Sequence, residues 1–312
     1  MARGTYRAGH AHVRSVVILL VATTTVYAGT APVVGGSIVP SGKWPDAVAV
    51  IGTKGTCTGT LIAPTVVITA GHCAEIEAQQ VIANTTDYAN NGGTHANIKS
   101  VTAYPDWEDT YDVSVIVLAT PITGIAPRAV GTACTFSAFA AASQVHLVGF
   151  GLTTEAGSGG NTKLHEAMAS VRDPDCSKEI GCAPAIAPGG EFVAGGDGTD
   201  SCFGDSGGPV YLDTAFGQVL IGAVSRGVDG SSSACGGGGI YVRTDKIVDW
   251  LEATAATTIT KDDCAAQPSS DGSDSGSSSA GAGIDTGGCA ASSPSLALAP
   301  FAALLLRRRR RR

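Results

Sequence analysis

A serine in a glycine-rich segment is the strongest candidate for a reactive group in this sequence. Ser206 lies within residues 200–209, which read DSCFGDSGGP. A hydroxyl becomes a useful nucleophile when a neighbouring base takes its proton, so an active Ser206 needs a histidine and a group that orients it. Gly204 and Gly207 permit a tight turn in which backbone N–H groups converge on one point and stabilise an oxyanion. The segment predicts a nucleophilic serine; the alternative is a glycine-rich turn with an incidental serine.

Two other residues could complete such a site. His72 follows a β-branched run and precedes Cys73 in the segment TAGHC, so its position should be rigid. Asp112 opens the almost wholly apolar segment DVSVIVL, where a carboxylate is costly to bury unless a donor such as a histidine N–H bonds to it. Alone, the histidine is more often structural and the aspartate more often a turn residue. Together with Ser206 they predict a general base and its orienting group.

The elements that position these residues should be mostly short strands. The chain has 312 residues, 42 of them glycine, and only 15% of its residues are charged, which favours many strands and turns. A helix is predicted from Thr244 onward, with Thr244 or Asp245 as its cap and an apolar face around Leu251. Loops are predicted at 84–97 and 153–163. Predicted strands cover residues 48–51, 60–68, 111–118, 144–150, 219–225 and 240–243.

Charge and cysteine content restrict the class of protein. The net charge is −7 although nine of the twenty basic residues lie near the two ends, so the body of the chain is acidic, which argues against nucleic-acid binding. Nine cysteines without a Cys-x-x-Cys pair predict disulfides in an oxidising compartment, and no metal or other cofactor. Residues 1–28 combine early arginines, a short apolar run and a small-residue site, which predicts a secretory signal peptide. A membrane anchor is the weaker alternative because the run is too short to span a bilayer.

Four segments in order resemble the trypsin-like serine proteases (chymotrypsin fold, S1 family). They are VVGG at 33–36, TAGHC at 69–73, DVSVIVL at 112–118 and GDSGGP at 204–209, and the resemblance extends from residue 33 to about 256. It implies an all-β fold of two six-stranded antiparallel β-barrels, an active site in the cleft between them, and a helix at the C-terminal end of the domain.

The resemblance also implies the catalytic roles. Ser206 attacks the scissile carbonyl, His72 takes and returns the proton, and Asp112 holds the imidazole tautomer. The backbone N–H groups of Gly204 and Ser206 form the oxyanion hole.

The resemblance further implies a specificity pocket. Asp200 occupies the position at its base, while Gly227 and Gly239 match the glycines that keep it open. Ser225 and Gly227 match the segment that binds the substrate backbone, but Arg226 stands where a tryptophan is common. A buried carboxylate in an open pocket predicts cleavage after Arg or Lys; the alternative is that Asp200 is a turn residue outside any pocket.

The resemblance finally implies activation by proteolysis and a set of disulfides. A new amino group at Val33 would bind Asp205, and because Pro32 precedes the cleavage point, a trypsin-like enzyme could not make this cut itself. Residues 29–32 are therefore predicted to be a short propeptide that another peptidase removes. A dipeptidase acting in two steps could do so. The implied disulfides are Cys57–Cys73, Cys176–Cys182 and Cys202–Cys235. Cys134 and Cys264 remain and are expected to pair as Cys134–Cys264, which leaves Cys289 as the odd one.

The end of the chain has a different composition. A protease domain at 33–264 is followed by a Ser/Gly-rich linker at 265–288 and a tail at 289–312 that contains Cys289, an apolar stretch and six terminal arginines. The tail resembles the MYXO-CTERM type of sorting signal of Gram-negative bacteria. It implies transient membrane contact, removal by a sorting peptidase near Cys289, and a secreted or cell-surface enzyme. A permanent weak anchor or a disordered basic end is the alternative.

Two other function classes remain alongside a protease acting on proteins or peptides. One is a non-catalytic binding protein on a protease scaffold, which has no need of a complete set of catalytic groups. The other is an esterase or another serine hydrolase such as an α/β-hydrolase, in which the catalytic residues follow the order Ser, Asp, His. The order here is His72, Asp112, Ser206, which favours the protease.

Overall fold

The computed structural model describes residues 33–215 and 217–262, together with residues 1 and 4. Contacts divide the chain into two units, Met1–Ala266 and Gln267–Arg312, and all described residues belong to the first. The predicted propeptide, linker and tail, and the predicted signal peptide apart from residues 1 and 4, lie outside the described residues. Within the described part of the chain, no helix is long and apolar enough to cross a membrane.

The first half of the described chain forms a closed barrel. After a two-residue strand β1 (Ser37–Ile38), six antiparallel strands follow one another around the barrel in the order β2-β3-β4-β7-β6-β5. Side chains that alternate along β4 pack into two different apolar clusters, Val66 and Ile68 in one and Val67 in the other, because successive residues of a strand point to opposite faces. The six strands are β2 (Ala47–Gly52), β3 (Thr56–Ala63), β4 (Val66–Thr69), β5 (Ala78–Ala83), β6 (Thr94–Ala103) and β7 (Ser114–Leu118).

The second half forms another six-stranded antiparallel barrel. Its strands are β8 (Gln144–Gly149), β9 (His165–Asp173), β10 (Glu191–Ala194), β11 (Pro209–Thr214), β12 (Gly217–Gly227) and β13 (Gly239–Arg243). The strand order is β9-β10-β13-β12-β11-β8, and the pairing of β8 with β9 closes the ring. β1 pairs antiparallel with the first two residues of β9.

Two short α-helices accompany the barrels. They are α1 (Ala133–Ser137) and α2 (Val248–Ala255). The Trp250 ring in α2 lies 4.9 Å from that of Tyr104, measured between ring centroids, so the C-terminal helix packs against the first barrel. The fold class predicted from sequence, two six-stranded antiparallel barrels with a C-terminal helix, is confirmed.

A buried polar cluster joins the two barrels. Asp46, just before β2, accepts two hydrogen bonds from the Arg128 guanidinium, at 2.6 and 2.9 Å, and one of 2.7 Å from the Tyr211 hydroxyl in β11. The Arg128 guanidinium carbon lies 4.6 Å from the centre of the Tyr211 ring, which itself stacks on Trp44. Because Arg128 lies in the segment between the barrels, all three parts of the domain meet at Asp46.

Several sequence predictions need correction. The predicted loop 84–97 ends too late, because β6 begins at Thr94 and forms a hairpin with β5. The predicted run 60–68 is two strands, β3 and β4, separated by a turn. Neither proposed helix cap is used. The Thr244 hydroxyl donates to the carbonyl of Leu220 at 3.0 Å, Asp245 pairs with Arg243, and α2 begins after a 3-10 turn with no side-chain cap.

Candidate active site

The histidine and the aspartate lie at the ends of two neighbouring strands of the first barrel. His72 opens a 3-10 turn after β4, and Asp112 lies just before β7. His72 Nδ1 lies 2.9 Å from Asp112 Oδ2, and the His72 backbone N–H donates to Oδ1 at 2.9 Å. A carboxylate only accepts, so Nδ1 carries the proton and Nε2 is left as the base. Burial raises the pKa of Asp112, but hydrogen bonds from His72 and Ser225 outweigh it and lower this pKa below its usual value.

Close packing explains the glycine before His72. A Cβ on Gly71 would lie 2.8 Å from Trp107 Cβ and 2.9 Å from Asp112 Oδ1. The Trp107 ring lies beside the His72 ring, with centroids 6.2 Å apart and the two planes tilted by 51°. Trp107 therefore packs beside the histidine. The sequence motifs did not identify Trp107.

Ser206 lies just before β11 of the second barrel, and its backbone contacts the first barrel close to His72. Its carbonyl accepts a hydrogen bond of 3.0 Å from the Thr58 backbone N–H and lies 3.7 Å from the sulfur of Cys73, the residue after His72. No hydrogen bond joins the Ser206 hydroxyl to the His72 ring among the described residues. Such bonds are often long before substrate binds and shorten in the complex.

The backbone around Ser206 presents two unused donors. Gly204 has φ +97° and Gly207 φ +76°, values that favour glycine. The carbonyls that precede the amides of Gly204 and Ser206 accept other hydrogen bonds. Phe203 O accepts from Leu152 N at 2.8 Å, and Asp205 O accepts from Gly208 N at 2.7 Å. In the described chain the N–H groups of Gly204 and Ser206 donate no hydrogen bond, which leaves them available to an oxyanion.

Asp205 is a buried acid without a cation in the described structure. Its two oxygens accept 2.8 Å hydrogen bonds from the backbone N–H groups of Gly151 and Cys202. Burial is the main cause that raises the pKa of Asp205 to about 7, with a smaller contribution from the nearby charge of Asp200. Val33, the expected partner, is 1% exposed and has φ +38°, a strained value for a β-branched residue.

Asp200 lies near Val34 and is 2% exposed. Its Oδ2 accepts from the N–H groups of Gly236 and Gly238, at 2.9 and 3.1 Å, while Oδ1 is buried and has no hydrogen-bond partner among the described residues. Burial raises the pKa of Asp200 to about 6, although the N–H groups of Gly236 and Gly238 and the neighbouring Ser201 act to lower it. A buried carboxylate oxygen without a donor is costly, so the site is electrostatically suited to a cation.

The two pocket glycines are not equivalent. A Cβ on Gly227 would meet only the Gly238 carbonyl, at 4.0 Å, so this position borders open space. A Cβ on Gly239 would lie 2.5 Å from the Tyr241 hydroxyl oxygen and 2.9 Å from Ser201 Oγ. A glycine at position 239 is therefore required by its close neighbours.

Arg226, which stands where a tryptophan is common, is half-buried and forms a hydrogen-bonded junction. Its guanidinium donates to both Glu191 oxygens at 2.7 and 3.0 Å, twice to the carbonyl of Gly181 at 3.0 and 2.6 Å, and to Ser225 Oγ at 2.9 Å. These five bonds use all five of its N–H donors. The Ser225 hydroxyl, having accepted from Arg226, donates to Asp112 Oδ2 at 2.7 Å. Glu191 is 1% exposed and lies in no recognisable motif, so the sequence analysis did not identify it.

Three disulfides join described cysteines, Cys57–Cys73, Cys176–Cys182 and Cys202–Cys235. These are the pairs that the resemblance implied. Cys134 lies in α1, and its expected partner Cys264 lies outside the described residues, as does Cys289.

Comparisons with known proteins agree with this geometry. A trypsin family model matches residues 33–251. The chain is 31% identical to "Trypsin" of Saccharopolyspora erythraea over 70% of this chain and 96% of the relative. It is 27% identical to bovine chymotrypsin-like elastase family member 1, over 73% of this chain and 91% of the relative.

A solved structure, the secreted serine protease VesC from Vibrio cholerae, has a similar fold. It superposes with a TM-score of 0.58 at 22% identity, over 70% of this chain and 48% of VesC, so the chain spans about half the length of that protein. The matched family region contains both barrels and all the residues of the candidate site. The chain therefore belongs to the trypsin family and is a serine endopeptidase.

Proposed function

We propose that the chain is a secreted endopeptidase that cleaves peptide bonds after Arg or Lys. The observation that carries the specificity is the buried Asp200 Oδ1, which has no donor among the described residues and would gain one from a substrate guanidinium or ammonium group. Family membership alone is insufficient, because the relatives include both a trypsin and an elastase-type protein. The relative named trypsin and the secreted protease VesC support the proposal.

The catalytic groups support an acyl-enzyme mechanism. His72 Nε2 accepts the proton of Ser206 as the hydroxyl attacks the scissile carbonyl, and then gives it to the leaving amine. Asp112 stabilises the imidazolium through its 2.9 Å contact with Nδ1. The free N–H groups of Gly204 and Ser206 bind the oxyanion, each donor lowering the barrier by about 2.7–4 kcal/mol. A water molecule then attacks the acyl-enzyme through the same steps, with His72 as the base, and releases Ser206.

The catalytic part of the proposal is tested by labelling the chain with a fluorophosphonate probe and mapping the modified residue. We expect modification of Ser206 in wild type and none in His72→Ala. Absence of labelling in a chain that begins at Val33 would favour the alternative, a non-catalytic binding protein.

The specificity is tested by cleavage of a peptide library. Asp200→Ser should lose the preference for Arg and Lys yet still react with the probe, because it leaves the triad intact. Asp249→Ser, which removes an exposed carboxylate from α2, is the matched control and should keep the wild-type profile. An unchanged profile in Asp200→Ser would contradict the assignment.

We also propose that another peptidase removes residues 29–32 and that the freed Val33 amine pairs with Asp205. Burial of Asp205 without a cation and the left-handed backbone of Val33 support this step. N-terminal sequencing of the active enzyme tests it. The sequence should begin at Val33, and full activity with Gly29 still attached would contradict it.

For the tail we propose sorting: residues 289–312 contact the inner membrane transiently and a sorting peptidase removes them near Cys289. The enzyme then reaches the surface of a Gram-negative cell or the medium, with the 265–288 linker as its tether. The order of cysteine, apolar stretch and arginine cluster supports this. Intact-mass analysis of protein from its native host should give a chain without residues 307–312; a mature chain that retains them would rule the proposal out.

A further inference from the structure

We propose that the Thr58 side chain is a positioning residue that holds the oxyanion hole in its active shape. Thr58 lies in β3 of the first barrel, whereas the oxyanion loop, residues 203–208, belongs to the second. The inference builds on the proposed catalytic mechanism but concerns a side chain outside the triad, the pocket and the activation site.

Thr58 holds the oxyanion loop at two points. Its backbone N–H donates to the Ser206 carbonyl at 3.0 Å, and its hydroxyl Oγ1 lies 2.8 Å from the Gly204 carbonyl. Both carbonyls belong to the residues whose N–H groups form the oxyanion hole. The first bond needs no particular side chain, but the second needs a hydroxyl at this position.

The direction of the second bond follows from the neighbours of the hydroxyl. The Phe150 backbone N–H donates to Thr58 Oγ1 at 3.1 Å, so that contact uses a lone pair. The Gly204 carbonyl can only accept, and the single hydroxyl proton must therefore point to it. Thr58 is 0% exposed, which removes water as a competing partner for either group.

This bond restrains a glycine that would otherwise be free to rotate. The peptide before Gly204 is held by the bond from Leu152 N to Phe203 O, at 2.8 Å, and the peptide after it is held by Thr58. With both adjacent peptide planes fixed, the Gly204 N–H keeps its direction, although a glycine at φ +97° has many other conformations open to it. Preorganised donors of this kind stabilise charge that develops in the transition state.

The position of Thr58 is itself fixed from the active-site side. The Thr69 hydroxyl donates to the Thr58 carbonyl at 2.8 Å, and Thr69 ends the strand that leads to His72. These hydrogen bonds therefore connect the strand before His72, in the first barrel, to the oxyanion loop of the second.

Three variants test the inference. Thr58→Val removes the hydroxyl at nearly constant volume, and Thr58→Ser keeps it. Thr60→Val is the matched control, since Thr60 lies in the same strand, is 0% exposed, and its hydroxyl has no hydrogen-bond partner among the described residues. Melting temperatures and fluorophosphonate-titrated active-site concentrations correct for any loss of folded protein.

Kinetics give the first readout. In Thr58→Val, kcat should fall about tenfold to a hundredfold with KM nearly unchanged, because removal of a whole oxyanion donor costs about 10²–10³ in kcat. Affinity for a peptide aldehyde, which forms a tetrahedral adduct, should fall by the same factor. Thr58→Ser and Thr60→Val should remain close to wild type. An unchanged kcat in Thr58→Val, or an equal loss in Thr58→Ser, would overturn the inference.

Hydrogen exchange gives a second readout that does not depend on turnover. In a Ser206→Ala background, the amides of Phe150 and of residues 203–208 should exchange faster with Thr58→Val than with Thr58→Ser or Thr60→Val. Equal exchange in all three would overturn the positioning role even if wild type proved inactive. An inactive wild type with the expected exchange pattern would instead reject the proposed function and leave Thr58 as the anchor of this loop.

Discussion

Removal of the residues before Val33 should change how the stability of the domain depends on pH. In the chain that retains residues 29–32, Asp205 is buried and receives two N–H bonds, and burial raises its pKa to about 7. In the unfolded chain this carboxyl titrates near its ordinary value of about 3.9. The folded state therefore holds the proton more tightly than the unfolded state does.

The sign and the size of the effect follow from this difference. The contribution of Asp205 to stability is fully present below the unfolded pKa, is lost as the pH rises, and levels off above the folded pKa. Between about pH 5 and pH 7 the folded form should lose roughly 2–3 kcal/mol, at 1.36 kcal/mol per pKa unit. For a domain of this size that is a fall of about 5–10 °C in Tm.

A chain that begins at Val33 should not lose this stability. Its ammonium group would pair with the carboxylate and lower the pKa of Asp205, so the ionised form would no longer be penalised. The assay compares the thermal unfolding of the two chains at pH 5 and pH 7.5, both carrying Ser206→Ala to prevent self-cleavage.

Asp205→Asn in the longer chain is the control, because it removes the titrating group and leaves the other buried acid, Asp200, in place. The difference between the two pH values should shrink in this variant by the amount assigned to Asp205. Equal pH dependence of the longer and the Val33-started chains, or an unchanged dependence in Asp205→Asn, would refute the reasoning.

Two further substitutions probe the site. Gly207→Ala should abolish activity and lower Tm, since a Cβ there would collide with the Thr69 hydroxyl and the Ala70 amide and φ is +76°; active-site titration and calorimetry measure both, and near-wild-type activity would contradict the geometry. Ser225→Ala should lower kcat about tenfold to a hundredfold, because Asp112 loses a hydrogen bond to a charged group worth about 1.5–3 kcal/mol; steady-state kinetics at constant folded fraction check it, and an unchanged kcat would contradict it.

Strong local signals explain which strands the sequence predicts. β4 and β7 consist almost entirely of β-branched or apolar residues and are buried on both faces, so their composition identifies them. β9 alternates between buried and exposed positions, but its buried side chains include Ala167 and Ala169, and alanine has a low preference for strands. β10 has only four residues and begins with a buried glutamate, Glu191. Pairing with neighbouring strands stabilises both β9 and β10. This pairing involves residues far away in the chain, so no local pattern indicates it.

The same division holds for the site. Ser206, His72 and Asp112 lie in motifs whose residue types are tied to their chemistry, so the sequence predicted them. Thr58 and Glu191 matter through contacts with residues far away in the chain, Gly204 and Arg226. Such contacts exist only once the two barrels are in place, and a single sequence gives no measure of them.

The polar cluster around Asp46 has a consequence for how the domain folds. Asp46 comes from one barrel, Tyr211 from the other and Arg128 from the segment between them, and the Asp46 carboxylate is 1% exposed. If the second barrel or the connecting segment packed in another arrangement, this charge would be buried without its partners, at a cost of several kcal/mol. The cluster therefore favours the native arrangement of the two barrels over misassembled ones, and with it the geometry of the cleft between them.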